Sequence, residues 1–158
     1  MTFQTADLTD EHDNLQVATP IFQQFGKRVR FHGEIVTVKV FEDNVLVKDA
    51  LTESGDGKVL VVDGGGSLRC ALVGDQIAAM AVKNGWSGIV VFGCIRDSAV
   101  INDLDIGVRA LNTHPLKSIK QGAGYRDIAV TFAGITFRPG EHIYADEDGI
   151  VLSATALL

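Results

Sequence analysis

The sequence predicts an α/β domain with a central βαβ unit and a C-terminal antiparallel β segment. Two continuous apolar runs, at 58–62 and 89–93, are typical of strands buried on both faces of a parallel sheet. A helical pattern at 76–84 lies between them, so the two strands should be parallel neighbours. In the last third, short apolar segments alternate with glycine- and proline-containing turns, which is typical of antiparallel strands.

Length and composition limit the class of protein. A chain of 158 residues can form one domain with one hydrophobic core, so we predict a single domain over 1–158. Hydrophobic residues make up 46% of the chain and charged residues 22%, as in ordinary globular proteins. A net charge of −6 with scattered basic residues argues against a nucleic-acid-binding surface, which needs clustered lysine and arginine.

The chain carries no pattern for a membrane or for secretion. No apolar stretch approaches the ~20 residues that a membrane helix needs. The N-terminal residues have neither a basic region nor a hydrophobic run, so no signal peptide is expected. Cys70 and Cys94 are isolated in apolar segments and are expected to be buried free thiols. These features predict a cytoplasmic protein.

Each element predicted in the N-terminal third follows from a local sequence pattern. Residues 5–14 are polar and acidic and predict a short surface helix with Thr5 as its cap. Residues 19–22 should be extended, because the residue before Pro20 is pushed out of the α region. Residues 33–41 alternate in polarity and predict a strand.

Glycines mark the expected ends of the next two helices. The segment 45–52 predicts a short helix that ends near Gly55, and the helix at 76–84 should end at Gly85, since glycine readily adopts the left-handed conformation that follows a helix. The antiparallel strands expected in the last third are three short segments: 128–132, 135–137 and 150–152.

Three features follow the predicted strands and could share a site. Ligands of open α/β sheets bind outside the carboxyl ends of the parallel strands. The glycine loop at 63–66 and the Arg96–Asp97 pair both come after such strands, and the helix start at 74–77 should lie near the same edge. We therefore predict that these three features converge on one cleft.

The residue types in this cleft are complementary in their chemistry. A helix start at 74–77 offers free backbone N–H groups to a carboxylate or phosphate, and Gly74 allows close approach. Arg96 could clamp a carboxylate with two hydrogen bonds. Asp97 is a hard oxygen ligand suited to Mg²⁺ or Mn²⁺ held together with waters and substrate. Asp75 could orient a water or transfer a proton.

Plainer explanations exist for each feature. Asp75 could serve only as a helix cap, and Arg96–Asp97 could be a surface turn. The glycine loop lacks the lysine and hydroxyl residue of a phosphate-binding loop and the third glycine of a dinucleotide fingerprint. The four histidines have no metal-ligand spacing, and neither cysteine has a nearby base in sequence; the histidines are His12, His32, His114 and His142.

Taken together, the segments at 61–69, 71–75 and 88–97 resemble the RraA-like family, which includes the regulators of ribonuclease E activity and the class II 4-hydroxy-4-methyl-2-oxoglutarate aldolases. The resemblance extends through 41–44, 104–107 and 144–150, and so covers nearly the whole chain. It implies an α/β swivelling-domain fold of the β/β/α type. It also implies a ring-shaped homotrimer with sites near the subunit interfaces.

The resemblance also implies roles for single residues. The aldolases carry an aspartate, twenty residues and then Arg-Asp, whereas the dedicated ribonuclease regulators replace the acids; this chain has Asp75, Arg96 and Asp97 at that spacing. By resemblance, the backbone of Gly74, Asp75, Gln76 and Ile77 binds the pyruvyl carboxylate together with Arg96. Asp97 anchors the divalent metal, and Asp75 orients a water that protonates the enolate.

The function implied is that of a metal-dependent carbon–carbon lyase. It would cleave 4-hydroxy-4-methyl-2-oxoglutarate into two pyruvates and decarboxylate oxaloacetate through the same pyruvate enolate. The alternative is a protein regulator that binds and inhibits ribonuclease E. A third function attached to the family, methyl transfer in menaquinone synthesis, is disfavoured because the chain lacks a nucleoside-binding glycine fingerprint.

Overall fold

The computed structural model describes residues 2–158, which form four helices and twelve strands. The helices are α1 (Thr5–Glu11), α2 (Val45–Thr52), α3 (Asp75–Lys83) and α4 (Ser98–Ile101). The strands are β1 (Gln16–Val17), β2 (Gln23–Phe25), β3 (Phe31–Lys39), β4 (Val59–Asp63), β5 (Ala71–Val73), β6 (Gly88–Ile95), β7 (Gly107–Thr113), β8 (Tyr125–Arg126), β9 (Val130–Phe132), β10 (Ile135–Phe137), β11 (His142–Ala145) and β12 (Ile150–Ser153).

The centre of the sheet is parallel. Strands β3, β4, β6 and β7 lie side by side in that order, each parallel to the next, and β5 pairs with the end of β6. Antiparallel strands extend both edges: β2 beyond β7, and β11, β12 and β1 in turn beyond β3. The predicted βαβ unit is confirmed, since β4 and β6 are parallel neighbours.

Two cores on opposite faces explain the continuous apolar runs. In β4, Leu60 and Val62 belong to the core beneath the helices, whereas Val59 and Val61 face the opposite core. Every residue of β4 is buried. Because side chains alternate across a strand, a strand covered on both faces needs apolar residues at every position.

Different elements cover the two faces. The helices α2 and α3 contribute to the first core, and the β9–β10 hairpin closes the second. Within that hairpin Phe132 stacks on Phe92 of β6 at 4.8 Å between ring centroids and on Phe137 at 4.4 Å. The predicted α/β fold with a C-terminal antiparallel segment is therefore confirmed.

The N-terminal helix differs from its prediction. It ends at Glu11, and Gln4 is its N-cap residue, so the prediction that Thr5 caps it was wrong. The Thr5 hydroxyl instead donates to Oδ1 of Asp146, and the Thr5 backbone N–H donates to Oδ2, both at 2.7 Å. The hydroxyl group that a local pattern assigned to the helix start therefore bonds a carboxylate 141 positions away.

Other differences concern element ends and strands that sequence reasoning missed. Strand β3 begins and ends two residues earlier than predicted, and β6 is longer at both ends. Strands β7 and β11 were not predicted; each is set by long-range pairing, β7 with β6 and β11 with β3. Among residues 2–158 the longest helix, α3, has nine residues, and none is long and apolar enough to cross a membrane.

The buried Asp146 carboxylate generates the first prediction. Burial alone raises the pKa of this carboxyl, but hydrogen bonds from Thr5, Asp148 and Gly149 outweigh burial and lower its pKa. A lowered pKa means that the charged form stabilises the fold above the unfolded pKa of about 3.9, and that this stabilisation is lost as pH falls through the lower folded pKa. Asp146→Asn should therefore reduce the free energy of unfolding by about 2 kcal/mol at pH 7.

Urea denaturation measures this difference at several pH values. The gap between wild type and Asp146→Asn should shrink as pH is lowered from 5 towards 3. Asp10→Asn, on the exposed side of α1, is the matched control and should change stability little at any pH. A gap that stays constant down to pH 3 would contradict the assignment.

Candidate functional site

The cleft is built where β5 and β6 end together. Ala71 pairs with Cys94 and Val73 with Ile95 in parallel register, and the Arg96 N–H donates to the Val73 carbonyl at 2.9 Å. Beyond this point the segment after β5 begins α3, and the segment after β6 leads into α4. The helix start and the Arg96–Asp97 pair therefore lie at the same edge of the sheet, as predicted.

Asp97 links the two chain segments directly. Its Oδ2 accepts a hydrogen bond from the Asp75 backbone N–H at 3.1 Å, so the helix start is bonded by a carboxylate from the neighbouring strand end. The backbone of Asp97 is left-handed, with φ 58° and ψ 39°, a conformation that is costly for a residue with a Cβ. Strained backbone held by its surroundings is common at functional sites.

Asp75 does not act as the cap of α3. The N-cap residue is Gly74, and Asp75 is the first helical residue. Its Oδ1 accepts the N–H of Gln76 at 2.9 Å, and the residue is half-buried in the cleft lining. The plain explanation of Asp75 as a helix cap is therefore wrong, because Asp97 bonds the N–H of Asp75 itself.

Glycine at position 74 makes room for this contact. A Cβ there would lie 2.9 Å from Oδ2 of Asp97 and 3.7 Å from Nε of Arg96. The backbone angle of Gly74, φ −118°, is ordinary for any residue, so the requirement is space and not conformation. Close approach of the helix start to the Arg96–Asp97 pair depends on the missing side chain.

The resulting cleft has a volume of about 520 Å³. That is within the range of pockets for small molecules. The structure brings all six residues predicted for the site to its lining: Gly74, Asp75, Gln76, Ile77, Arg96 and Asp97.

Three lysines and an asparagine on the cleft wall were missed by sequence reasoning. Lys48 comes from α2, and Lys117 and Lys120 come from the segment between β7 and β8. Lys120 donates to Oδ1 of Asn44 at 3.1 Å. No local pattern marks these residues, because isolated bridges from Asp43 to Ile119 and from Ala71 to Lys117 bring their segment to the cleft.

The charges of the lining favour anions. Arg96 and the three lysines face two carboxylates, those of Asp75 and Asp97, although the chain as a whole carries a net charge of −6. The Arg96 guanidinium is half-buried, and its Nη1 donates to the Pro115 carbonyl at 3.4 Å, which holds the side chain along the wall. A local excess of positive charge in a concave site attracts anionic ligands.

The glycine loop does not join this cleft, so the predicted convergence of three features was wrong for one of them. Asp63 and Gly65 line a separate groove of about 270 Å³ with Phe41 and Tyr125. The Asp63 carboxylate is buried and accepts the N–H of Gly65 at 2.9 Å. The loop therefore closes on itself and presents no free acid.

The acids of the cleft fit a divalent ion held mainly by water and substrate. Within residues 2–158 no three His, Cys, Asp or Glu side chains form a cluster that could hold a metal by themselves. Mg²⁺ is commonly bound by one or two carboxylates with waters and substrate oxygens. The exposed carboxylate of Asp97 and the half-buried carboxylate of Asp75 supply such a donor set, and the absence of a Cβ at Gly74 leaves room for Oδ2 of Asp97.

The cysteines and histidines serve the fold. Cys70 and Cys94 are free and buried, as predicted, and burial raises the pKa of both thiols, which makes them poor nucleophiles at neutral pH. The His32 ring stacks on Tyr144 at 5.7 Å. Nδ1 of His114 accepts the N–H of Leu116 at 3.1 Å.

Known proteins resemble the whole chain. A model of the RraA-like family, described as Aldolase/RraA, matches residues 5–152. A protein of Laribacter hongkongensis (strain HLHK9) is 62% identical over 159 residues and 100% of both chains. One of Dechloromonas aromatica (strain RCB) is 61% identical over 162 residues and 99% of both. Both carry the name "Putative 4-hydroxy-4-methyl-2-oxoglutarate aldolase".

Solved structures share the fold. One, named as an S-adenosylmethionine: 2-dimethylmenaquinone methyltransferase from Geobacillus kaustophilus HTA426, is 49% identical with a TM-score of 0.96, covering 98% of this chain and 97% of that chain. The RNA-processing inhibitor RraA from Thermus thermophilis is 42% identical with a TM-score of 0.97, covering 100% and 96%. The chain belongs to the RraA-like family, which confirms the resemblance read from its sequence.

The left-handed backbone of Asp97 generates the second prediction. Asp97→Ala and Asp97→Gly both remove the carboxylate that bonds the start of α3, but only glycine adopts φ 58° without a Cβ penalty. Asp97→Gly should therefore be more stable than Asp97→Ala by about 1 kcal/mol. Urea denaturation of the two variants measures the difference, and the reverse order would show that the backbone is not held in this conformation.

Proposed function

We propose that this member of the RraA-like family is a divalent-metal-dependent carbon–carbon lyase. It would cleave 4-hydroxy-4-methyl-2-oxoglutarate into two pyruvates and decarboxylate oxaloacetate at the same site. The observation that carries the proposal is the meeting of a helix start, Arg96 and the carboxylates of Asp75 and Asp97 in one cation-rich cleft. The names of relatives at about 60% identity support the same reaction.

The helix start would bind the 2-oxo acid end of the substrate. The first backbone N–H groups of α3 have no acceptor within the helix, and the residues that carry them line the cleft. In the free protein two of them are bonded to carboxylates, those of Asp97 and Asp75, which illustrates the preference of this helix end for anions. A substrate carboxylate would compete for the same donors, and Arg96 would add a planar pair of hydrogen bonds.

The lysine side of the cleft suits a substrate with two carboxylates. Lys48, Lys117 and Lys120 line the wall together with the residues of the helix start. A dicarboxylate could place one carboxylate at the start of α3 and the other near these ammonium groups. A monocarboxylate such as pyruvate would leave the lysines without a carboxylate to contact, so the cleft should bind the larger acid more tightly.

The reaction needs stabilisation of a developing enolate. The 4-hydroxyl group would give its proton to a water in the cleft; the new carbonyl then forms, the C3–C4 bond breaks, and its electron pair stays on pyruvate as the enolate. The Arg96 guanidinium would stabilise the oxygen that gains negative charge. Asp75 would hold the water that returns a proton to C3. Asp97, with Asp75 beside it, would hold the metal ion, whose charge would stabilise the same enolate when bound.

Oxaloacetate follows the same course after its first step. Loss of carbon dioxide from the carboxylate next to C3 leaves the electron pair on the same pyruvate enolate. Arg96 would stabilise this enolate, and the water held by Asp75 would protonate it. One set of residues therefore accounts for both activities.

A second face beside the cleft suits self-association. Phe41 and Tyr125 are more than half exposed and line the groove next to the glycine loop. Exposed aromatic side chains in a shared groove are typical of interfaces. The homotrimer implied by the family resemblance would cover them, and light scattering of the purified protein tests that assembly.

The third prediction tests the lyase directly. With Mg²⁺ present, the purified protein should release pyruvate from both substrates, as followed by coupled oxidation of NADH. Asp97→Ala and Arg96→Ala should each lower kcat/KM by about 10³-fold, because each removes charge stabilisation of the enolate. Chelation of divalent ions should abolish activity, and Mg²⁺ should restore it.

Matched controls separate this effect from general damage. Asp103→Asn and Arg138→Ala change exposed residues of the same types outside the cleft and should retain wild-type activity. Wild-type rates in both Asp97→Ala and Arg96→Ala would exclude the proposed site.

A second candidate function is inhibition of ribonuclease E. The likeness to the Thermus thermophilis RNA-processing inhibitor, with a TM-score of 0.97 at 42% identity, favours it. Binding through an outer surface would not use the Asp97 carboxylate. The fourth prediction is that, if this function holds, wild type and Asp97→Ala inhibit the purified endonuclease equally. No inhibition by wild type at micromolar concentration would remove this candidate.

A further inference from the structure

A buried acid beside the cleft holds the segment that carries two of its lysines. Asp43 is 1% exposed and lies in the turn between β3 and α2. Its Oδ2 accepts the backbone N–H groups of Gln121 at 3.0 Å and Ala123 at 3.1 Å. Its Oδ1 accepts the N–H of Val45 at 3.1 Å, which fixes the carboxylate to the start of α2.

The next residue connects the same segment to the other side of the cleft. The amide nitrogen of Asn44 donates to the Leu72 carbonyl in β5 at 3.2 Å, two residues before Gly74. Its amide oxygen accepts from Nζ of Lys120 at 3.1 Å. One side chain therefore contacts both the strand that leads to α3 and a lysine of the cleft lining.

The lysine segment, residues 117–123, has little structure of its own. Within the described chain it contains neither helix nor strand and is tied down by isolated bridges at Lys117 and Ile119. The Ile119 N–H also donates to the Glu42 carbonyl at 3.0 Å. Its position therefore depends on the turn that holds Asp43 and Asn44, since few other contacts are available to fix a segment without regular structure.

We infer that Asp43 and Asn44 are positioning residues that hold the lysine segment against the cleft and so set its selectivity for dicarboxylic over monocarboxylic 2-oxo acids. This inference rests on the proposed function for the identity of the ligand. Asp43 lies outside the cleft lining and acts through the backbone of the segment, whereas Asn44 lines the cleft and contacts Lys120.

The lowered pKa of Asp43 agrees with a charged carboxylate that holds the lysine segment in place. Burial alone raises its pKa, but N–H donors from Val45, Ala123, Gln121 and Gly122 outweigh burial, and the pKa lies below its ordinary value. The carboxylate is therefore ionised at neutral pH. Charge-assisted hydrogen bonds are about twice as strong as neutral ones, so an amide in its place holds the segment less well.

The test compares two ligands in variants with matched chemistry. Asp43→Asn keeps the shape of the side chain but presents an NH₂ group or a neutral oxygen to the two backbone donors. Asp63→Asn is the control, because Asp63 is also buried and bonded to backbone N–H, but lies in the separate groove. Calorimetry with Mg²⁺ gives the Kd of 2-oxoglutarate, which has no hydroxyl to cleave, and of pyruvate.

In Asp43→Asn the Kd of 2-oxoglutarate should rise about tenfold while that of pyruvate stays within about twofold, since in the proposed binding mode the lysines would contact only the far carboxylate. Amide hydrogen exchange at Gln121 and Ala123 should be at least about tenfold faster. Asp63→Asn should change neither quantity. Asn44→Ala, which leaves the backbone anchor intact, should shift the same Kd ratio less, and it carries the test if Asp43→Asn does not fold.

Two outcomes would overturn the inference: equal weakening of both acids, or unchanged exchange at Gln121 and Ala123. These results are separate from the fate of the lyase. A wild-type protein that binds both acids with the expected selectivity but cleaves no substrate would refute the proposed function and leave the positioning role standing. Cleavage by wild type with an unchanged Kd ratio in Asp43→Asn would do the reverse.

Discussion

The parallel pairing of β5 with the end of β6 is the constraint on which the cleft depends. The hydrogen bond from the Arg96 N–H to the Val73 carbonyl sets the two strand ends level, so that one residue later on each side Gly74 and Asp97 are in contact. A slip of this register would move the Arg96–Asp97 pair along the edge, and a one-residue slip would reverse the faces of its side chains. The start of α3, Arg96 and the carboxylates of Asp75 and Asp97 lie in one cleft only because β5 pairs with the end of β6 in this register.

The lining of the cleft carries an excess of positive charge, whereas the molecule as a whole is negative. A chain with a net charge of −6 places Arg96 and three lysines around two carboxylates. The lysines come from α2 and from a segment without regular structure, so their convergence is a product of tertiary contacts and not of composition. Net charge argues only about the class of surface and could not reveal a small cationic site, because the local field of a cleft depends on a handful of side chains.

The sequence predicted those parts of the site that depend on local pattern. Helix α2 was predicted with its observed ends, and the helix start at 74–77 and the Arg96–Asp97 pair lie in one cleft as predicted, because strand ends and helix starts can be read from apolar runs and glycines. The lysine segment, β7 and β11 were missed because only long-range pairing defines them. A local rule predicted that Thr5 caps its own helix. Its hydroxyl instead donates to the buried, charged carboxylate of Asp146, because a charge-assisted hydrogen bond is stronger than a bond to a backbone N–H.

Asp63 and Asp97 show why position after a strand is not enough to select a candidate site acid. Both follow or end neighbouring parallel strands at the same edge of the sheet. Asp63 is buried, and its carboxylate satisfies a backbone N–H two residues on, so its charge is used within its own loop. Asp97 is exposed, is held in a left-handed conformation and bonds a helix start that itself attracts anions. An exposed acid that is bonded to a helix start can exchange that hydrogen bond for another at small cost, whereas an acid buried in its own turn cannot.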